Sequence, residues 1–345
     1  MTEPGSPGAA DLRGLRIAVT GASGFCGSVV ARTAAQRGAE VICLGRRPGP
    51  VGRHVPWDAA AETPRLPDVD LVIHLAAAVG DPRPGRRVEA AYHAVNVTGT
   101  ARLLDAAGDR RVVWVSSASV YDPRVRVAAI REDHPIDGQR SAYGRTKAAG
   151  ERLALAAGAV VLRPRAVYGP GDPHLLPRLL RVVRGGWALL PGPDVSLSLT
   201  AVENLADACL AARHWPAGAY NIADARPYSR DAAVTAVLAA LGKPARVRHV
   251  PAALAYTAAA TATALAWLAR SDTPRLTRYA VDQLAHGIVL DISRAAAQGW
   301  RPRRTLDDFV RALRGDAGQP PGPAGVSDHQ RRTRRDGFPS YPSTS

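Results

Sequence analysis

The chain has 345 residues, 46% of them hydrophobic, and a formal net charge of +15, which is long enough to bury a large core. Its three cysteines, Cys26, Cys43 and Cys209, are widely spaced, which excludes a disulfide framework and a cysteine-built metal site. The positive charge is scattered and is densest at Arg331 to Arg335 in a Gly/Pro/Ser-rich tail, so the sequence predicts no specific nucleic-acid partner and allows weak contact with an anionic membrane surface.

Residues 1–13 are Gly, Pro and acidic punctuation without an apolar stretch. They predict a flexible arm, not a secretory leader, and with the cysteine usage they predict a cytoplasmic protein. Leu15 to Thr20 is a β-rich run, followed at once by Gly21-Ala-Ser23-Gly24-Phe25-Cys26-Gly27 and a helical stretch from Ser28 to Arg37. Strand, glycine turn and helix arrive in the order a dinucleotide site requires. Gly21 permits the tight turn, Gly24 admits a pyrophosphate to the backbone, and Gly27 lets helix and strand pack closely. The helix N-terminus supplies N–H groups for the anion, and Ser23, Phe25 and Cys26 share that cradle.

A second strand, Glu40 to Leu44, ends in Gly45-Arg46-Arg47, where an acidic residue would ordinarily meet a free ribose 2′-hydroxyl. Arg46 chiefly, and Arg47 with it, predict that NADP(H) is preferred, with NAD(H) as the lesser alternative. His54 to Pro56 reads as a third strand, and Asp58 beyond it is placed either to meet an adenine amino group or to serve as an ordinary loop carboxylate. Asp70 to Ala78 reads as a fourth, apolar strand, whose small end at Ala76 and Ala77 lets a cofactor lie against the backbone. His74 within it reads as a packed strand residue. A helix containing Tyr92 to Ala107 carries Asn96, expected to tie that helix to the neighbouring strand, with a relay water as the alternative role.

Arg111 to Ser117 predicts the fifth strand, Ser141 to Ala157 a helix, Ala159 to Arg163 the sixth strand closed by Pro164, and Ala219 to Ile222 a return to the sheet. His174 to Leu190 and Tyr228 to Leu313 read as helical and alanine-rich. Within them Pro251 to Ala269 is nearly apolar, read first as a buried or pocket-lining helix, then as a membrane-surface contact, and last as a span. The predicted fold is α/β, a Rossmann-type doubly wound parallel sheet with a smaller, mainly helical C-terminal substrate domain. The dinucleotide domain takes residues 14–168 with a return near 197–224, the lid takes 169–196 and 225–313, and 314–345 form a disordered basic tail.

Lys147 and Lys243 are the only lysines among 45 basic residues, and Lys147 stands four residues after Tyr143 in Tyr143-Gly-Arg-Thr-Lys147. One helical turn brings the two side chains to one face. A compact ammonium fits beside a phenol and favours its anion, which a planar guanidinium does less well. Ser117 emerges at the C-terminal end of the fifth strand, the ligand end of such a sheet. The three form a catalytic set in which Tyr143 exchanges a proton with a carbonyl or alcohol oxygen, Ser117 hydrogen-bonds that oxygen, and Lys147 tunes the phenol.

With these motifs in order, the chain resembles an extended short-chain dehydrogenase/reductase from about Leu15 to Leu313. The resemblance rests on Thr20-Gly-Ala-Ser-Gly-Phe-Cys-Gly27, His74-Leu-Ala-Ala77, Asn96-Val-Thr-Gly-Thr100, Ser116-Ser-Ala-Ser-Val-Tyr121, Tyr143-Gly-Arg-Thr-Lys147 and Arg163-Pro-Arg-Ala-Val-Tyr-Gly-Pro170. It implies a Rossmann core, a triad on Ser117, Tyr143 and Lys147, and a place for Pro164 beside the nicotinamide carboxamide. It also makes a homodimer through helices such as 148–157 an option. Asp122 departs from the glycine that commonly follows Val-Tyr. The family's Arg-Asp-aromatic stretch, whose arginine grips a diphosphate, is replaced here in the matching segment Leu197-Ser-Leu-Thr-Ala-Val-Glu-Asn204. Arg163 to Pro177 and Val202 to Asp207 resemble instead the branch of 3β-hydroxysteroid dehydrogenases and 2-alkyl-3-oxoalkanoate reductases. The leading expectation is therefore an NADP(H)-dependent oxidoreductase of a small, largely apolar substrate. The alternatives are a sugar-nucleotide epimerase or dehydratase with Arg178, Arg181 or Arg226 as phosphate grip, and a non-catalytic cofactor-sensing scaffold.

Overall fold

In the computed structural model, residues 11–82, 84–173, 175–181, 183–269 and 276–317 are described. Most of the predicted arm and basic tail lie outside them. The short β-branched runs of the first half become the strands of one sheet: β1 (Arg16–Thr20), β2 (Glu40–Gly45), β3 (Arg53–Pro56), β4 (Leu71–His74), β5 (Arg111–Val115) and β6 (Val160–Pro164). A seventh strand, numbered β12 in chain order (Gly218–Ile222), returns from far along the sequence, and the spatial order is β12-β6-β5-β4-β1-β2-β3 with every pair parallel. Helices α1 (Phe25–Gln36), α2 (Arg86–His93), α3 (Gly99–Ala107) and α4 (Ala142–Ala156) connect these strands. The strand order reverses at β1, between β2 and β4, which is where a doubly wound sheet opens its ligand crevice.

Both faces of the sheet are covered, which explains why its strands read as nearly unbroken apolar runs. Ile17, Val19, Ile73, Val113 and Leu162 pack on one face with Val30 and Ala34 of α1 and with Leu205 and Leu210 of a later helix. Ala18, Val72, Trp114 and Val161 pack on the other with Leu103 and Leu104 of α3 and Ala154 of α4.

The remaining elements are β7 (Val167–Tyr168), α5 (Leu175–Arg181), β8 (Val183–Arg184), β9 (Trp187–Pro191), β10 (Ser196–Leu197), β11 (Thr200–Ala201), α6 (Val202–Ala211), β13 (Tyr228–Ser229), α7 (Arg230–Ala240), β14 (Arg246–Val250), α8 (Ala252–Leu268), α9 (Arg278–Ala285), α10 (Ser293–Ala297) and α11 (Leu306–Ala317). A third apolar cluster, including Leu179, Ala188, Leu190, Val234, Leu238 and Phe309, holds this half together.

Three expectations are corrected here. His174 to Leu190 is not one helix: α5 ends at Arg181, and β8 and β9 form an antiparallel pair across Gly185 and Gly186, at φ +52° and +78°. Two consecutive residues with positive φ are what a two-residue hairpin needs, and only glycine supplies both at little cost. The stretch from Tyr228 to Leu313 is interrupted by β14, which pairs in parallel with β9 and so sets Arg246 and Arg248 on one sheet face and Val247 and His249 on the other. Finally, α11 runs on to Ala317, past the expected start of the tail.

Candidate active site

The glycine turn is shaped as its spacing implies. Gly21 sits at φ +69°, and a Cβ there would lie 2.8 Å from the Ala76 nitrogen. A Cβ on Gly27 would lie 2.2 Å from the Gly21 oxygen, so α1 approaches the end of β1 only because Gly27 lacks a side chain, as the segment after β4 approaches the turn only because Gly21 does. Gly24 is the N-cap of α1, no side chain caps that end, and Ser23 and Gly24 are exposed. The helix thus presents uncovered N–H groups, as an anion site does. Thr20 ties this turn to the end of β4: its Oγ1 accepts from the Leu75 and Ala76 nitrogens at 3.1 and 3.0 Å and meets His74 Nδ1 at 2.7 Å. The backbone of Leu75 and Ala76 therefore packs directly against the glycine turn.

His74 is the packed residue that the sequence predicted. It is fully buried, and burial first and Lys147 second lower it to about 3. Asn96 occupies a π-helical turn, Ala94–Thr98, between α2 and α3. Its side chain accepts from the Ala78 nitrogen at 2.7 Å and donates to the Ala78 oxygen at 3.1 Å and to Thr146 Oγ1 at 3.0 Å. These bonds carry the tying role. Arg46 and Arg47 are exposed beyond the end of β2. Asp58 Oδ1 accepts from the Ala60 nitrogen at 2.9 Å, an Asx turn that gives the carboxylate a local use. Burial pushes the Cys26 thiol up to about 12, so it remains protonated in the cradle.

Beyond β5, Ser117 caps a short 3-10 turn over Ala118–Val120, its Oγ accepting from the Ser119 nitrogen at 3.1 Å. Ser141 caps α4 by accepting from the Gly144 nitrogen at 3.0 Å, which fixes the first turn from which Tyr143 projects. Ser117 and Tyr143 are neighbours: the phenol is pushed up by burial first and Tyr279 second, and the Ser117 hydroxyl opposes both. The hydroxyls continue from Ser117 to Ser119 at 3.1 Å and from Ser119 to Tyr279 of α9 at 2.8 Å.

Lys147 corrects the expectation of an ammonium set against the phenol oxygen. It is buried, its Nζ donates to the Val115 oxygen at 2.6 Å, and it stands 3.7 Å from the centroid of the Trp114 ring. The aromatic face and the free carbonyl at the end of β5 give a buried cation what solvent would otherwise supply. Desolvation lowers this lysine to about 7, with Glu151 opposing. One turn on, Glu151 is fully buried and accepts from Ser116 Oγ at 2.5 Å and Arg163 Nε at 2.9 Å. Pro164 closes β6 at the crevice end, paired with Ile222.

A cavity of about 630 Å³ opens beside Tyr143. Pro82, Val88, Ala260, Ala264 and Trp267 give it apolar walls, while Arg140, Arg145, Arg278 and Asp81 stand among its lining. Arg140 pairs with Asp282 at 3.1 Å and Arg145 with Glu89 at 2.8 Å. Arg165, directly after Pro164, is buried with Nη1 on the Ser198 oxygen at 2.9 Å and Nε without a partner, and burial lowers it to about 10.

The sequence reading missed Ser119, Tyr279, Glu151 and Arg165. Ser119 could have been found, since Ser117 and Ser119 share a period of two. Glu151 follows Lys147 by one helical turn. Tyr279 comes from a different helix and carried no signal. Arg226 is exposed, and the side chains of Arg178 and Arg181 lie outside the described residues. Among the described residues, no group of acidic, histidine or cysteine side chains could hold a metal ion.

The model of the NAD dependent epimerase/dehydratase family matches residues 17–223. A 2-alkyl-3-oxoalkanoate reductase of Stenotrophomonas maltophilia is 30% identical over 338 residues, covering 87% of this chain and 98% of that protein. A 3 beta-hydroxysteroid dehydrogenase/Delta 5-->4-isomerase of Mycobacterium tuberculosis is 31% identical over 259 residues, 66% of this chain and 70% of its own. Among solved structures, MoeE5 in complex with UDP-glucuronic acid and NAD is similar at a TM-score of 0.66 and 25% identity, covering 88% of this chain and 99% of that one.

Proposed function

The chain belongs to the NAD dependent epimerase/dehydratase family and is an NAD(P)-dependent oxidoreductase of the extended short-chain type; from that premise we propose that it uses NADP(H) to interconvert a secondary alcohol and a ketone on a small, largely apolar substrate. The observation that carries this reading is the apolar cavity wall beside Tyr143, built by Pro82, Val88 and the α8 side chains Ala260, Ala264 and Trp267. A substrate of the kind named for the Stenotrophomonas relative, or a steroid-like or polyketide-like one, would bury its hydrocarbon there.

The residues around Gly21, Gly24 and Gly27 fit a dinucleotide, because each side chain added at Gly21 or Gly27 would collide with backbone that now frames the cradle. The uncovered N-terminus of α1 would hold the pyrophosphate, Ala76 and Ala77 the adjoining ribose, and Arg46 with Arg47 a 2′-phosphate. When bound, the nicotinamide supplies or accepts the hydride. Tyr143 gives its phenolic proton to the substrate oxygen in reduction and takes one from the alcohol in oxidation. Ser117, next to that phenol, would hydrogen-bond the same oxygen as charge develops. Lys147, held at Val115 and Trp114 and one helical turn along from Tyr143, would favour the phenolate by its charge while it stays protonated.

The test is a screen of hydrophobic ketones, 2-alkyl-3-oxoalkanoates among them, followed by loss of NADPH absorbance, with Tyr143→Phe as control. Turnover that disappears in the Phe variant while NADPH still binds supports the assignment. Micromolar calorimetric binding of UDP- or dTDP-sugars, without ketone turnover, would replace it with a sugar-nucleotide activity.

A further inference from the structure

We propose that the outer face of α8, together with the arginine-bearing face of the β8–β9–β14 sheet, docks onto an anionic lipid membrane. The inference does not depend on the substrate reading above.

Helix α8 contains 17 residues, none of them charged, and only Ala259 and Ala266 are buried. Its threonines Thr257, Thr261 and Thr263 turn their hydroxyls back onto carbonyls of the same helix at 3.0, 3.0 and 2.8 Å, and a helix with no charged face belongs inside a protein or against another apolar phase. Here Leu254, Leu265 and Leu268 are 62%, 60% and 85% exposed, and their spacings of eleven and three residues put them on one face. The inner side of the helix is already used, since Ala260, Ala264 and Trp267 wall the cavity beside Tyr143. The outer stripe has no such use.

Strand β14 runs into α8 through Pro251 alone. The register places Arg246 beside Trp187, Arg248 beside Leu189, and Arg184 opposite Trp187. Paired residues share a sheet face, so three arginines surround Trp187 and Leu189, which are 41% and 37% exposed. The other face, with Ala188 and Leu190, is buried in the core. Neither Arg246 nor Arg248 has an acidic partner among the described residues, whereas His249, on the opposite face of β14, pairs with Asp231 at 2.5 Å.

Tryptophan and leucine among arginines, joined through Pro251 to a helix without a charged residue, match the boundary between lipid headgroups and chains. Charge favours this occupant over a second copy of the chain, because self-pairing would set these arginines against their own kind on a molecule of net charge +15. A polyanion such as nucleic acid would meet the arginines and leave the leucine stripe uncovered. No described helix is long and apolar enough to cross a membrane, so the contact lies in the interface plane.

The experiment is flotation of the full chain with phosphatidylcholine vesicles, with and without about one-third phosphatidylglycerol. The chain should float with the anionic vesicles and be released by high salt. Leu265→Ser/Leu268→Ser and Arg246→Gln/Arg248→Gln should each weaken flotation at least tenfold. All four side chains are exposed, so an unchanged circular-dichroism melt is expected to show intact folding. Failure of the full chain to float, equal flotation on neutral vesicles, or undiminished flotation of both variants would overturn the proposal, the last by assigning the binding to the basic tail. Light scattering that finds a dimer in the full chain and a monomer in the leucine variant would overturn it in favour of a second copy.

Discussion

Replacing Lys147 by Met should stabilise the protein at neutral pH while destroying its activity. The ammonium is buried, and its titration is lowered from the ordinary 10.5 to about 7 by desolvation. At roughly 1.4 kcal/mol per pH unit, an upper bound of about 5 kcal/mol is spent on keeping this group in the interior. Met fills a similar volume, and losing the bond to the Val115 oxygen returns about 1 kcal/mol of that, leaving a gain of roughly 3 to 4 kcal/mol. Glu151 keeps Ser116 and Arg163 as partners in the variant, so no carboxylate is orphaned.

The sign follows from proton counting. Between pH 7 and 10.5 the unfolded chain holds the lysine proton and the folded chain has released it, so wild-type stability rises with pH across that window relative to the variant. The penalty is fully present below about pH 7 and fades as pH approaches 10.5. Urea unfolding of both proteins at pH 7 and pH 10 measures it. A difference that stays constant between those pH values would refute the reasoning and mean that Val115, Trp114 and Glu151 together hold an ordinary ammonium.

Gly27→Ala should abolish NADPH binding and lower stability by about 1 to 3 kcal/mol, because the new Cβ would meet the Gly21 oxygen 2.2 Å away; a thermal melt and a fluorescence titration that both match wild type would contradict this. Arg46→Ala should weaken NADPH binding roughly tenfold or more while barely changing NADH, the loss expected for one charged hydrogen bond to phosphate; equal losses for both cofactors would leave the 2′-phosphate assignment without support. Tyr279→Phe removes the hydroxyl 2.8 Å from Ser119 and one of the influences that raise the Tyr143 phenol. The alkaline limb of ketone reduction should therefore move to lower pH, and an unmoved limb would show that Tyr279 does not act on the catalytic acid.

Where a signal in this chain is local and periodic, it was legible. The glycine turn, the strand sequence and the return of Gly218–Ile222 to the sheet all follow from apolar runs and turn chemistry, because burial on both faces leaves a parallel strand little choice of composition. The hairpin at Gly185-Gly186 is written just as locally, in two adjacent glycines, but it lies in a leucine- and valine-rich stretch whose apolar positions fit a helix as well as a strand pair. Other features were not local at all. Tyr279 reaches Ser119 across 160 residues, and Arg165 finds Ser198 only after β7 and β11 are brought together. The Tyr143–Lys147 spacing shows the limit most sharply. Four residues on a helix guarantee a shared face, but they do not say which neighbour the ammonium will choose, and Trp114 on the adjacent strand, unremarkable in sequence, offers a π face and lies next to a free carbonyl. A buried lysine that costs the fold stability, in a chain that writes arginine at nearly every other basic position, is what the role proposed above for its charge would call for.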